Sequence, residues 1–223
     1  VGFTLIESLI AIMVISITVV TITPPILWAL ATRAQNRRAE QAVQLAQSEI
    51  DRVRLTVERG EYLLSEVPPQ TTIGGVRPNP PAPLRIRNDK RRSIVPACNV
   101  DDGTQPNDPG DLIPVDTDPE RDGSCRPEFL IQVFRGQDAG GPVGPNTPPR
   151  AFVMGVRVYA FAASQNLDNG QLQTQPASLR LTSGLGGQTT RPLAVQYSTI
   201  VRSNSGDGVD LYRQLCPQRP SSC

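Results

Sequence analysis

The stretch that most constrains this chain is its beginning, VGFTLIESLIAIMVISITVVTITPPILWALAT, in which Glu7 is the only ionisable side chain before Arg33. A run of roughly 20 apolar residues is what a bilayer-spanning helix requires, and Ser or Thr inside it can bond back to the helix. Glu7 is the exception. A carboxylate near a bilayer centre costs about 2.5–3.5 kcal/mol on insertion scales, so it points to function. The plainer reading places Glu7 at headgroup level, where the helix dipole favours an anion.

Helical periodicity continues beyond Arg33. Ala39, Val43, Ala46, Ile50, Val53 and Val57 step by three or four residues, with a polar face around them. Gly60 stands where a helix stop belongs. One helix of about 50 residues is expected, bent near Pro24-Pro25, apolar all round first and amphipathic afterwards. A secretory signal peptide fits poorly, because the run is too long and lacks a basic start. A plain transmembrane anchor with a coiled-coil stalk is the stronger rival, although the Ala-rich stripe suits packing on a sheet. Arg33, Arg37 and Arg38 also allow a cytoplasmic interfacial anchor under the positive-inside rule, an orientation that would put the cysteines in a reducing compartment.

The opening residues carry a resemblance. Gly2-Phe3-Thr4-Leu5-Ile6-Glu7-Ser8-Leu9-Ile10 resembles the processing and assembly motif of type IV pilins and type II secretion pseudopilins. The resemblance implies cleavage by a prepilin peptidase after Gly2 and N-methylation of Phe3 as the mature N-terminus. It implies that Glu7 neutralises the N-terminal amine of a neighbouring subunit, and that Pro24 loosens the helix. Pro25 is an addition to the family pattern, and only Val1 stands before Gly2 where a prepilin carries a basic leader. Residues 1–2 then read as the end of a leader, 3–32 as a transmembrane and assembly helix, 33–59 as its amphipathic continuation, and 60–223 as a loop-rich β domain. The implied fold is α+β and pilin-like: a long N-terminal helix, its first half membrane-embedded, packed on a small antiparallel sheet with long Pro/Gly-rich loops. The implied partners are other pilins or pseudopilins, the prepilin peptidase, an inner-membrane assembly platform and the membrane itself. The implied location is single-pass in the inner membrane with the globular domain in the periplasm, or in an extracellular filament. The continuation RAQNRRAEQAVQLAQSEIDRVR is most similar to cyanobacterial pseudopilins linked to hormogonium polysaccharide secretion; a minor pilin of a motility pilus is the other reading.

The rest of the chain narrows the chemistry. With 22 Pro and 18 Gly it is loop-rich. A net charge of +1 and few aromatic residues give no nucleic-acid footprint. There is no His, which removes the commonest general base and transition-metal ligand. Pro68-Pro69, Pro78, Pro80-Pro81 and Pro83 break regular structure between residues 61 and 95, apart from a short edge strand at Leu84–Arg87. Lys90-Arg91-Arg92 reads as a solvated turn. Glu128–Phe134, Ala151–Ala162 and Leu193–Val201 alternate as strands, with at most a short one at Leu179–Leu181.

Between Cys98 and Cys125 lies the most acidic stretch. Asp116, Asp118 and Asp122, followed by Gly123, are similar to the start of a calcium loop, but the rest of the EF-hand pattern is missing. The choice is between a calcium site and a solvated acidic loop, and no other cofactor is expected. Four cysteines without a C-x-x-C spacing or a His argue against zinc and for disulfides, with three connectivities open. The favoured pairs are Cys98–Cys125, clamping the acidic loop, and Cys216–Cys223, the latter at a place where pilins often carry one. Two functions remain: a minor pilin or pseudopilin in a filament serving secretion or motility, and an anchored binding domain that never polymerises. Enzyme activity is not expected: a Cys nucleophile lacks its base, and a carboxylate pair in the acidic loop comes with no aromatic platform.

Overall fold

The structure is a computed structural model that describes residues 4–73, 77–117, 124–141, 143–144, 147–178, 187–203 and 206–216, with the side chains at 22 and 24–28 outside that description. Helix α1, Leu5–Arg59, runs 55 residues and stops at Gly60, whose φ of 82° is the left-handed cap that glycine adopts without a Cβ penalty. Beyond it come six strands, β1 (Arg85–Ile86), β2 (Arg92–Ser93), β3 (Asp111–Asp116), β4 (Phe129–Ala139), β5 (Ala151–Ala160) and β6 (Ala194–Val201), and a short helix α2, Gly208–Leu215.

The sheet order is β1-β3-β4-β5-β6, with β2 also on β3. β3 to β6 pair antiparallel, whereas β1 and β2 each pair parallel to β3. The sheet is therefore mixed and six-stranded, which corrects the small antiparallel sheet expected from the sequence. The cause is β3, which sits inside the stretch read as an acidic loop. Its carboxylates are strand ends rather than loop residues: Asp111 is buried and accepts from Arg85 Nε (3.0 Å) and Arg87 Nη1 (3.1 Å). Pro114, which has no N–H to donate, falls in the gap between the two short parallel pairings at 111–112 and 115–116. Arg92, expected in a solvated turn, is in β2.

One face of the sheet receives the second half of α1. Ala42, Ala46, Ile50, Val53 and Val57 pack on Ile113, Phe129, Ile131, Val133, Phe152, Met154, Val156 and Ile200. Ala42, not Val43, occupies the stripe; Val43 lies at its margin and is exposed. Small Ala side chains let the backbone of α1 approach the strands closely, the condition for dense packing. Gly155 serves a similar purpose on the opposite face, where an added Cβ would come within 2.3 Å of the Phe134 ring. Gly155→Ala should lower stability by about 1–3 kcal/mol through overpacking, read as a reduced urea midpoint. An unchanged midpoint would show that the Phe134 ring can move aside.

Polar groups tie the Pro-rich region to the helix. Glu49 of α1, 3% exposed, accepts from Arg52, from Gln105 Nε2 (2.8 Å) and from Arg92 of β2. Arg92 also faces Asp101 at 3.0 Å. Nearby, Cys98 and Cys125 form a disulfide across 27 residues, closing the segment that contains β3. Loop-closure entropy makes that bond worth about 3–4 kcal/mol. Cys98→Ser should cost an amount of this order in denaturant unfolding, and a loss under 1 kcal/mol would contradict it. Cys216 is also disulfide-bonded; Cys223, its expected partner, lies outside the described residues.

A membrane-embedded first half of α1, and with it the single-pass inner-membrane placement, is overturned. Among the described residues no helix is long and apolar enough to cross a membrane.

Candidate assembly surface

The sequence motif points to the start of α1. Gly2 and Phe3 lie outside the described residues, and Thr4 stands at the N-cap in extended conformation. The backbone N–H groups of Glu7 (3.1 Å) and Ser8 (3.2 Å) donate to the Thr4 carbonyl, so the first turn closes on Thr4. Glu7 is the one acidic residue in that turn, and its side chain is exposed. A carboxylate at this end is favoured by the positive end of the helix dipole.

From Thr4 to Ala31 every described side chain is exposed. Leu5, Ile6, Leu9, Ile10, Ile12, Met13 and Ile17 have more than half their surface open. Among the described side chains of α1 the first to be buried is Gln35, followed by Ala39. The helix therefore leaves the globular part at about Gln35 and projects as an unsupported apolar rod. A helix apolar all round belongs in a buried setting. A contiguous apolar surface of this size is an interaction site rather than ordinary solvent-facing surface.

The polar atoms on the rod are satisfied within it. The hydroxyls of Ser8, Ser16, Thr18, Thr21 and Thr23 donate to carbonyls three or four residues back, among them Ser16 to Ile12 (2.7 Å) and Thr21 to Ile17 (3.0 Å). Such back-bonding leaves methyl and methylene groups as the outward face. Glu7 is the group with no such remedy; its carboxylate must find a cation when the rod is covered. Arg33, Arg37 and Arg38 are exposed where the rod meets the globular part. Pro24 lies within the helical span of α1, its side chain outside the description.

The expected calcium site is only partly described. Asp116 ends β3, is buried, and accepts from Ser93 Oγ at 2.8 Å; Asp118 and Asp122 lie outside the described residues. Among the described residues no group of three or more His, Cys, Asp or Glu side chains is placed to hold a metal ion. The acids of this region that are described serve strand ends and ion pairs, as with Lys90 and Asp102 at 2.7 Å.

One buried ion pair escaped the sequence reading. Arg135 and Asp138, on either side of a bulge in β4, meet at 2.6 Å with both side chains under a tenth exposed. Burial pushes the Asp138 carboxyl up to about 6 despite the guanidinium, and burial likewise lowers Arg135. Arg135 also receives a bond at its carbonyl from Thr71 (2.8 Å) and donates from its N–H to Pro69 (2.9 Å), so the pair pins the Pro-rich segment to the sheet.

Comparison with protein-family models, with curated proteins and with solved structures finds no match to this chain.

Proposed function

We propose that this chain is a structural subunit, a minor pilin or pseudopilin, of a filament of the type IV pilus or type II secretion kind that serves secretion or motility. The observation that carries the reading is the apolar half of α1, whose described side chains are exposed with no partner among the described residues, and which bears one carboxylate in its first turn. Packing like helices side by side buries that surface at about 25 cal/mol per Å². It would also bury Glu7, whose charge then requires a cation. The amine at the start of a neighbouring helix is the cation that the motif supplies, and the Arg33 cluster remains at the rim.

Cross-linking tests the helix core. All described cysteines are in disulfides, so Met13→Cys introduces a single new thiol on the exposed rod. Mild oxidation of a sheared filament fraction should yield a disulfide-linked dimer through residue 13. A filament fraction containing the variant only as monomer would contradict helix-to-helix packing.

A further inference from the structure

On the sheet face away from α1, four side chains form a layered stack. The Arg157 guanidinium lies 4.8 Å from the centre of the Phe134 ring, Phe134 meets Tyr197 edge-to-face at 6.2 Å, and Arg77 lies 4.2 Å over the Tyr197 ring. Arg157 is 1% exposed, and its hydrogen bonds run to neutral acceptors: the Pro80 carbonyl (3.0 Å), Gln132 Oε1 (3.1 Å) and Asn79 Oδ1 (2.6 Å). Its Nε is buried without a partner, and among the described residues no carboxylate pairs with it. A buried cation normally has a counter-ion. Here that position is left to neutral groups.

Beside this stack is a cavity of about 410 Å³ lined by Arg77, Asn79, Thr174, Gln175 and Tyr197 with prolines around them. Among the described residues its donors are unspent. The Asn79 carbonyl is occupied by Arg157, which turns the amide NH₂ outward from that bond. Arg77 is held by the Tyr197 ring and makes no hydrogen bond or ion pair among the described residues. A stacked guanidinium retains all five N–H donors in a fixed fork, the geometry that matches a planar carboxylate. The sequence agrees over a wider range: the stretches 69–88 and 169–206, within which the lining residues fall, contain no Asp or Glu.

We propose that this cavity is a carboxylate-binding site, with Arg77 as the bidentate anchor, Asn79 and Thr174 as added donors, and Arg157 as the buried charge that makes the site positive. The carboxylate comes either from a free small acid or from a polypeptide, as an acidic side chain or a C-terminus. The site stands apart from the helix rod and does not depend on filament assembly.

The test is saturation-transfer NMR on the full chain with three probes: acetate, N-acetylglutamate α-amide and N-acetyl-Gly-Gly. At least one should bind and be displaced only weakly by chloride. Arg77→Met, which keeps the alkyl stem over Tyr197 but removes the fork, should weaken binding about tenfold. Gln175→Ala should weaken it less. A preference for acetate identifies a free acid, and a preference for either peptide probe identifies a polypeptide source. No binding by any probe, unchanged binding in Arg77→Met, or equal displacement by chloride would overturn the proposal. The cavity rim is exposed at Arg77, so the folded circular-dichroism signal of Arg77→Met should match that of the parent chain.

Discussion

Glu7→Ala is expected to remove the chain from sheared filaments while leaving its globular part as stable as before. The second half follows from position. Glu7 is exposed in the first turn of α1, and the packed core begins near Gln35 and Ala39, so no contact of the core is lost. The first half follows from charge. In a covered helix bundle, removing one partner of a buried ion pair leaves the other uncompensated, at about 3–5 kcal/mol per subunit. That is on the order of a hundredfold or more in incorporation. Glu7→Gln should fail nearly as badly, since the amide keeps the size but not the charge, and Glu7→Asp should recover part of the loss. Immunoblots of sheared filament and cell fractions read the outcome. Normal incorporation of Glu7→Ala would contradict the pairing.

The second large effect is at Glu49. Burial alone would raise the pKa of this carboxyl, but Arg92 and then Arg52, with the Gln105 amide, bring it down from 4.5 to about 2. A carboxyl with a lowered folded pKa adds stability above its unfolded pKa and loses it as pH falls. The window is therefore pH 4.5 down to 2, and the contribution is about 3 kcal/mol at 1.36 kcal/mol per unit. Asp138 acts in the opposite sense. Burial raises it to about 6, so its share is present at low pH and fades as pH rises from 3.8 through 6. Glu49→Gln should cost about 3–5 kcal/mol at pH 7, because Arg52 and Arg92 lose the carboxylate they share and Asp101 is left to face Arg92 alone. At roughly 2–4 °C per kcal/mol, the melting point should fall by about 10 °C. The variant should also lose most of the stability change between pH 4.5 and 2. Parallel acid curves for the two proteins would show that the Glu49 cluster is not the acid-sensitive element.

Some of this was legible in the sequence. Strands β4, β5 and β6 announce themselves by alternation: Phe129, Ile131 and Val133 face the helix, as do Phe152, Met154 and Val156. The helix stop at Gly60 is a local signal, since a left-handed cap needs only one residue of suitable chemistry. β3 was hidden because its ends are charged and Pro114 sits at its middle; only Arg85 of β1 and Arg87, the residue after it, show why Asp111 can be buried. β1 and β2 are two residues each, too short for any period to register. α2 begins at Gly208, a poor helix former, and is held by Leu211 and Leu215 against Ala139 and Ala151, which are distant in sequence. Of the site, Glu7 could be read from its isolation in an apolar run. The carboxylate cavity could not, because Arg77, Tyr197 and Arg157 meet only through the sheet register that puts Gly155 beside Tyr197. The absence of acids across two long segments was its one sequence trace.

The central claim, filament membership through the N-terminal helix, is most directly tested by intact and peptide mass spectrometry of the chain recovered from sheared filaments. The account predicts a polypeptide that starts at Phe3 and carries one added methyl group on its terminal nitrogen. A chain that retains Gly2, or one absent from the filament fraction altogether, would contradict it.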